Sequence, residues 1–150
     1  RSAVLGGLWH TSSHLSWDTM TPNLSRYTCS FSEFPWPPGS PAFPSRAQMQ
    51  KYLEDYAAAL VIAAGVSIRL GCRVSAVARP AAGGPGFDVR FEDESSGTSR
   101  VEHFDGVVVA SGFFSRPALP HSAAHGRFPG RQLHSSEYTN PETFAGRKVA

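Results

Sequence analysis

The chain has 150 residues, 41% of them apolar, enough to bury roughly two thirds of its unfolded surface in one domain. Its formal charge of +2, from 14 Lys+Arg against 12 Asp+Glu, is too small for an electrostatic footprint on nucleic acid or an anionic membrane. Cys29 and Cys72 make neither a disulfide scaffold nor a CxxC site, and no apolar run approaches the roughly 18 residues of a membrane span. The expectation is a soluble domain of a reducing compartment, the cytoplasm.

The first 35 residues hold Gly6-Gly7, two Trp and many Ser/Thr without a helical or strand period, and so read as loops and short turns. Five prolines between Pro35 and Pro44 predict an extended or polyproline-like stretch, a rigid connector in preference to a peptide-recognition ligand. The clearest helix follows. Ser45 can cap it, and Met49, Tyr52, Leu53, Tyr56, Ala57 and Leu60 recur three and four apart on one face, predicting a helix from about 46 to Ala64, ended by Gly65. Its tyrosines are assigned to the core.

Strands are predicted at 67–70 and 73–79, parted by Gly71-Cys72. Phe87, Val89 and Phe91 alternate with Asp88 and Arg90, the period of a half-buried strand. Residues 81–86 supply turn chemistry, the charged run 93–100 a solvated hairpin tip, and Val101 to Phe104 a return to the sheet. Val107-Val108-Val109-Ala110 is a continuous apolar run, as in a parallel strand covered on both faces. It ends in Ser111-Gly112, and a small-residue loop at the carboxyl end of such a strand is where α/β sheets place ligands. The order suggests part of an α/β nucleotide-binding domain carrying an antiparallel meander.

Few residues advertise chemistry. His10/His14 and His121/His125 have i, i+4 spacing, but neither segment reads as a helix nor carries the Glu of HExxH, so no metal site is expected. Asn23-Leu24-Ser25 is formally a glycosylation sequon, incidental without a secretory context. The cysteines read as small buried residues. Two segments stand out. Gly6-Gly7-Leu8-Trp9 joins a glycine pair, which lets backbone pass close to a bulky ligand, to a flat aromatic wall. Phe128-Pro-Gly130-Arg-Gln-Leu-His134-Ser-Ser-Glu-Tyr138 has the form FxGxxxHxxxY.

At these residues the chain resembles the class B flavoprotein monooxygenases, and among them the flavin-containing monooxygenases. Residues 128–138 resemble the family fingerprint, which Baeyer–Villiger enzymes usually end with Trp, so Tyr138 favours the branch that oxygenates N and S. Residues 6–9 resemble the segment after the acidic residue that holds the FAD ribose. Asn23, ten residues before Glu33 of FSEFP, matches the family's active-site Asn. VVVASG at 107–112 resembles the ATG strand end, with Ser111 for the usual Thr, and Ser115-Arg-Pro117-Ala-Leu-Pro120 resembles the S-x-P-x-x-P that follows. Residues 135–149 resemble the run into the second, NADPH-binding Rossmann strand. Two further departures are Pro22, where Ser or Thr is common, and Thr139-Asn140, where a basic residue is frequent.

The resemblance implies the fold, the cofactors and the sites. The fold is an α/β, partial FAD-binding Rossmann-like (two-dinucleotide-binding) domain with an antiparallel β-meander, over residues 1–145, and 146–150 begin an NADP-binding domain. Neither GxGxxG fingerprint lies within the chain, which is therefore expected to be an internal piece of a longer enzyme and, alone, to be inactive and to retain little FAD. The parent would use FAD and NADPH to oxygenate an amine or sulfide through a flavin C4a-hydroperoxide, with a small-molecule substrate and O2 as partners. A Baeyer–Villiger oxygenase, and a flavoprotein reductase or non-catalytic nucleotide-binding module of the same fold, are the alternatives. Asn23 is the implied catalytic residue. Gly6, Gly7, Leu8, Trp9, Pro22, Asn23, Leu24, Val74 (a backbone contact to adenine), Ser111 and Gly112 are implied at the cofactors. His134 either fixes the connection between the two nucleotide domains or is a hydrogen-bonded structural histidine.

Overall fold

The structure, a computed structural model, describes residues 3–112, 114, 116–119 and 127–149. Among the described residues it has one α-helix and a three-stranded antiparallel sheet, a partial α/β dinucleotide-binding fold. Two compact units divide the chain: Gly6–Ala57 with the described residues from Gly112 onward, and Ala58–Ser111 with the first residues. Among the described residues no helix is long and apolar enough to cross a membrane.

In the first unit, helix α1 spans Arg46–Tyr56. Its start is a capping box: the Gln48 N–H donates to Ser45 Oγ at 3.3 Å, and the Ser45 N–H to Gln48 Oε1 at 2.8 Å. Two of the orphan donors at a helix N-terminus are satisfied reciprocally, worth about 1 kcal/mol. Met49 and Tyr52 are buried, three apart, as the periodicity predicts. The helical winding continues beyond Tyr56, but as a π-helix over Ala57–Ile62, closed by the Val66 N–H on Val61 O at 3.1 Å and ended by Gly65 at φ 75°. The predicted length is right and the predicted winding is not. The change comes at Ala57, and the π segment carries the β-branched pair Val61-Ile62, whose side chains crowd a regular α turn.

The core of this unit is aromatic. The Trp36 ring stacks on Tyr52 at 4.2 Å between centroids and 8° between planes, while Phe31 stacks on Tyr56 at 3.9 Å. Each polar handle is used. Tyr52 Oη accepts the Phe31 N–H at 2.8 Å and donates to Phe34 O at 2.6 Å, and Trp36 Nε1 donates to Cys29 O at 2.8 Å. The proline stretch is therefore not the expected connector. Trp36 and Pro44 are buried, and Pro37–Ser40 closes a turn with Gly39 at φ 82°, the residue pattern of a type II turn. Prolines hold this segment against α1 because the buried Trp36 among them has nowhere else to put its ring. Neither cysteine is fully buried; both are half-exposed free thiols.

In the second unit β1 (Cys72–Ala78), β2 (Phe87–Asp93) and β3 (Ser99–Phe104) pair antiparallel in the order β1-β2-β3. Val89 and Phe91 of the central strand are buried, as their alternation predicts. Val74 pairs with Phe91 and Ala76 with Arg90, so a bulge at Ser75 shifts the register. Residues 67–70 form no strand. Within them, Arg69 lies over the Phe91 ring at 5.3 Å while its guanidinium binds both oxygens of Glu102 at 2.7 and 2.8 Å. Residues 107–110 form no strand either, with Val108 91% and Val109 81% exposed. An apolar run becomes a strand only when a neighbour takes its N–H and C=O groups, and no described strand pairs with this one.

The β2–β3 hairpin tip is built on Asp93. Its Oδ1 accepts from Ser95 Oγ at 2.5 Å, Ser95 N at 2.9 Å and Ser96 N at 3.2 Å. The Ser95 hydroxyl first, then the two backbone donors and the charge of Arg100, hold the carboxyl below its ordinary 3.8. A lowered folded-state pKa contributes stability above the ordinary value, and that contribution fades as pH falls through Asp93's own lower value. In an acid titration followed by NMR, the Ser95 and Ser96 amide protons should therefore shift with a midpoint below 3.8, and the step should vanish in Asp93→Asn. A midpoint at or above the ordinary value would count against the arrangement.

Candidate functional site

The glycine pair adopts the backbone that only glycine takes easily. Gly6 sits at φ 102° and ψ −18°, Gly7 at φ 51°, and the chain winds into a 3-10 turn over Gly7–Trp9, with the Trp9 N–H on Gly6 O at 2.9 Å. The two glycines differ in their surroundings. A Cβ on Gly6 would run into the side-chain amide oxygen of Gln50 on α1, whereas a Cβ on Gly7 would meet nothing within 4 Å. The first glycine thus lets the turn lie against the helix, and the second leaves open space beside the backbone. Leu8 is half-buried, and Trp9 packs partly against the core of Trp36, Met49 and Tyr52.

The Asn23 segment hangs between two anchors. Before it, the buried Met20 closes a turn with its N–H on Trp17 O at 3.1 Å. After it, the Thr28 and Cys29 N–H groups bond to Ser25 O at 3.0 and 2.9 Å, and the Arg26 N–H to Ala42 O at 2.8 Å. Between these, Pro22 is half-buried while Asn23 and Leu24 are exposed, and the Asn23 amide makes no hydrogen bond to the described residues. A carboxamide so placed offers donor and acceptor to a ligand.

The remaining candidates lie apart in the chain's organisation. Gly6, Gly7, Leu8, Trp9, Pro22, Asn23, Leu24 and Gly112 belong to one unit, Val74 and Ser111 to the other. Val74 is on β1, an edge strand, where alternate backbone groups lack a partner within the sheet. Ser111 and Gly112 are exposed, with Gly112 at φ 72°. Two clefts stand out, one of about 320 Å³ lined by Arg69, Cys72, Phe91 and Arg100, the other of about 200 Å³ lined by Phe34, Trp36, Lys51 and Tyr52. Neither is lined by a candidate residue.

The FxGxxxHxxxY stretch has a structural logic of its own. Gly130 lies against the Phe128 ring, whose Cζ would stand 2.8 Å from a Cβ there. His134 is the N-cap of a 3-10 turn over Ser135–Glu137: its Nδ1 accepts the Ser136 N–H at 3.1 Å, and its own N–H donates to Glu137 Oε1 at 3.0 Å. The hydrogen-bonded structural role is thus present. An imidazole accepting at Nδ1 carries its proton on Nε2. Tyr138 meets Trp17 edge-on at 5.2 Å and stacks on Phe144 at 6.0 Å. His10 shares Nδ1 with Ser12, and His121, His125, Ser115 and Pro120 lie outside the described residues.

Two features escaped the sequence reading. Arg46 is buried at the start of α1 and bonds to Ser16 and Asp18, and Trp17 between them holds the last residue of the fingerprint. Arginine at the first position of a helix is ordinarily solvated, so nothing in its spacing marks it.

A family model described as flavin-binding monooxygenase-like matches residues 1–150. Among curated proteins, the chain is 34% identical over 149 residues to an indole-3-pyruvate monooxygenase, YUCCA1, of Oryza sativa subsp. japonica, covering 99% of this chain and 34% of that one. It is 28% identical over 161 residues to flavin-containing monooxygenase 1 of Rattus norvegicus, covering 99% of this chain and 29% of that one. It therefore spans about a third of the length of these relatives. Among solved structures, a flavin-containing monooxygenase from Stenotrophomonas maltophilia superimposes with a TM-score of 0.71 at 24% identity, covering 97% of this chain and 40% of that one. Tmm from a Pelagibacter species gives 0.73 at 21%, covering 97% and 36%. At these identities the solved structures establish a shared fold.

Proposed function

Since the chain belongs to the flavin-binding monooxygenase-like family, we propose that it supplies the central and C-terminal part of the FAD-binding domain of an FAD- and NADPH-dependent monooxygenase, over residues 1–145, with 146–150 beginning the NADP-binding domain. The observation that carries the reading is the Gly6-Gly7 turn: a left-handed backbone seated on α1, open at Gly7, with Trp9 beside it. A side chain at Gly7 would stand in that open space, so the residues present fit a group that approaches backbone closely. FAD, reduced by NADPH, supplies activated oxygen to a soft nucleophile, an amine nitrogen or a sulfide sulfur.

What this chain does is bind, orient and exclude water. Gly6 and Gly7 admit the cofactor to the backbone, and Leu8 and Trp9 border it. Pro22 and Leu24 flank the reacting side, where apolar surface displaces water that would divert oxygen to peroxide. Asn23 holds the cofactors through its amide, which donates and accepts without titrating. Val74 offers backbone to adenine, and Ser111 and Gly112 offer small-residue backbone to a cofactor at the end of residues 107–110. No acid or base is required of the protein. With neither GxGxxG motif, the 150 residues alone retain little FAD and are inactive.

A second reading, oxidation of a 2-oxo acid of the indole-3-pyruvate kind, is favoured by the 34% identity to the rice protein against 28% to the rat one. Tyr138 at the fingerprint's end speaks for amines and sulfides over the ketones of Baeyer–Villiger chemistry. Asn23→Ala tests the site in the full-length enzyme across panels of amines, sulfides, ketones and 2-oxo acids. Product per NADPH should fall about tenfold, with NADPH consumed and peroxide released. Unchanged product per NADPH would remove Asn23 from the site. A flavoprotein reductase would consume NADPH with no oxygenated product from any panel.

A further inference from the structure

We propose that Arg46 is a positioning residue, whose guanidinium holds the turn that aims Asn23 and ties that turn to the FxGxxxHxxxY segment. The proposal rests on the reading of Asn23 given above. Arg46 is only 6% exposed, and a guanidinium leaves water at a heavy cost unless its donors are paired. It finds partners 28 and 30 residues away. Nη2 donates to Asp18 Oδ1 at 2.9 Å and Nη1 to Ser16 Oγ at 3.2 Å, so one fork grips the residues on either side of Trp17. Asp18 is itself almost fully exposed, so the ion pair is not there to neutralise a buried carboxylate.

From Trp17 the restraint runs in two directions. Its carbonyl accepts the Met20 N–H at 3.1 Å, and with Met20 buried and φ of Pro22 fixed by its ring, little freedom remains before Asn23. Its ring meets Tyr138 edge-on at 5.2 Å, so the same clamp sets the end of the fingerprint segment. Arg46 also lies four residues before Gln50, on one face of α1, and Gln50 is the side chain against which Gly6 rests. One helix face therefore places the glycine turn and the Asn23 segment together. Lysine, a single point donor, reaches one partner where the arginine fork reaches two.

The test uses the full-length enzyme with Arg46→Met, Arg46→Lys and the surface variant Asp18→Asn. It reads amide hydrogen exchange over residues 17–24 and, separately, product per NADPH and KM for NADPH. In Arg46→Met, exchange over 17–24 should quicken about tenfold while the β-meander is unchanged. Product per NADPH should fall about threefold or more with KM for NADPH unaltered, and Arg46→Lys should recover part of both. Asp18→Asn should quicken the same amides by about threefold, and it carries the exchange test if Arg46→Met does not fold. Unchanged exchange in folded variants overturns the clamp. Quickened exchange with coupling intact, in an enzyme that Asn23→Ala uncouples, overturns the positioning role. If Asn23→Ala leaves coupling intact, the reading of the site fails, and exchange alone decides for or against the clamp.

Discussion

Replacing Trp36 by Ala is expected to cost about 3–5 kcal/mol of folding free energy. Three terms add. The indole is 8% exposed, so its apolar area returns to water on unfolding and leaves a cavity when truncated. Its face lies on Tyr52 at 4.2 Å and 8°, a stack that contributes about 1 kcal/mol beyond area. Its Nε1 donates to Cys29 O at 2.8 Å, and losing that bond strands a half-buried carbonyl at about 1 kcal/mol. Trp36→Phe separates these contributions, since it keeps most of the apolar area and loses the donor. It should cost about half as much as the alanine variant. Urea unfolding of both variants reads the difference. A cost under about 1 kcal/mol for Trp36→Ala would mean that the aromatic cluster does not hold α1 to the loops around it.

The second large effect falls on Gly6. An alanine there must adopt φ near 102°, costing about 1–2 kcal/mol, and must push aside Gln50, costing about 1–3 kcal/mol more. The expected sum is about 2–5 kcal/mol, and the role proposed for Gly6 adds loss of the flavin from the full-length enzyme. Gln50 has a flexible end, but it is buried and its Nε2 is bonded to Glu54 at 2.5 Å, so it does not yield freely. The neighbouring Gly7→Ala should cost only about 1 kcal/mol, because φ 51° lies in the left-handed basin and the space is open. Adding Gln50→Ala to Gly6→Ala should recover the steric share and leave the backbone share. Equal costs for the two glycines would show that α1 is not what the turn rests on.

How far the sequence was readable depended on whether each signal was local. Ser45 stands directly before the periodic run, so a local signal announced the helix start, and the structure adds Gln48 as the other half of the cap. The alternation of Phe87, Val89 and Phe91 likewise announced the middle strand of the meander. Val107 to Ala110 misled because a β-branched run states only a preference, and hydrogen bonding to another strand decides whether it is met. The prolines misled differently: they do stiffen the chain, but a buried Trp36 among them decides where it goes. At the candidate site, both glycines at positive φ were legible from their pairing. Asn23 was legible only through resemblance to a family, since an exposed carboxamide carries no pattern of its own. The Arg46 contacts with Ser16 and Asp18, and the Trp17 contact with Tyr138, join residues far apart in the chain, where no periodicity reaches.

The order β1-β2-β3 follows the chain, and this bears on time as well as shape. Each pairing closes only a short loop, 79–86 between the first two strands and 94–98 between the last two. Closing such loops takes little entropy, and hairpins form within about 1–10 μs. The contact of Trp17 with Tyr138 instead joins residues on either side of the whole meander, which requires a much longer excursion of the chain. During synthesis the meander can therefore be complete soon after its last strand emerges, while Trp17 must wait until Tyr138 is made.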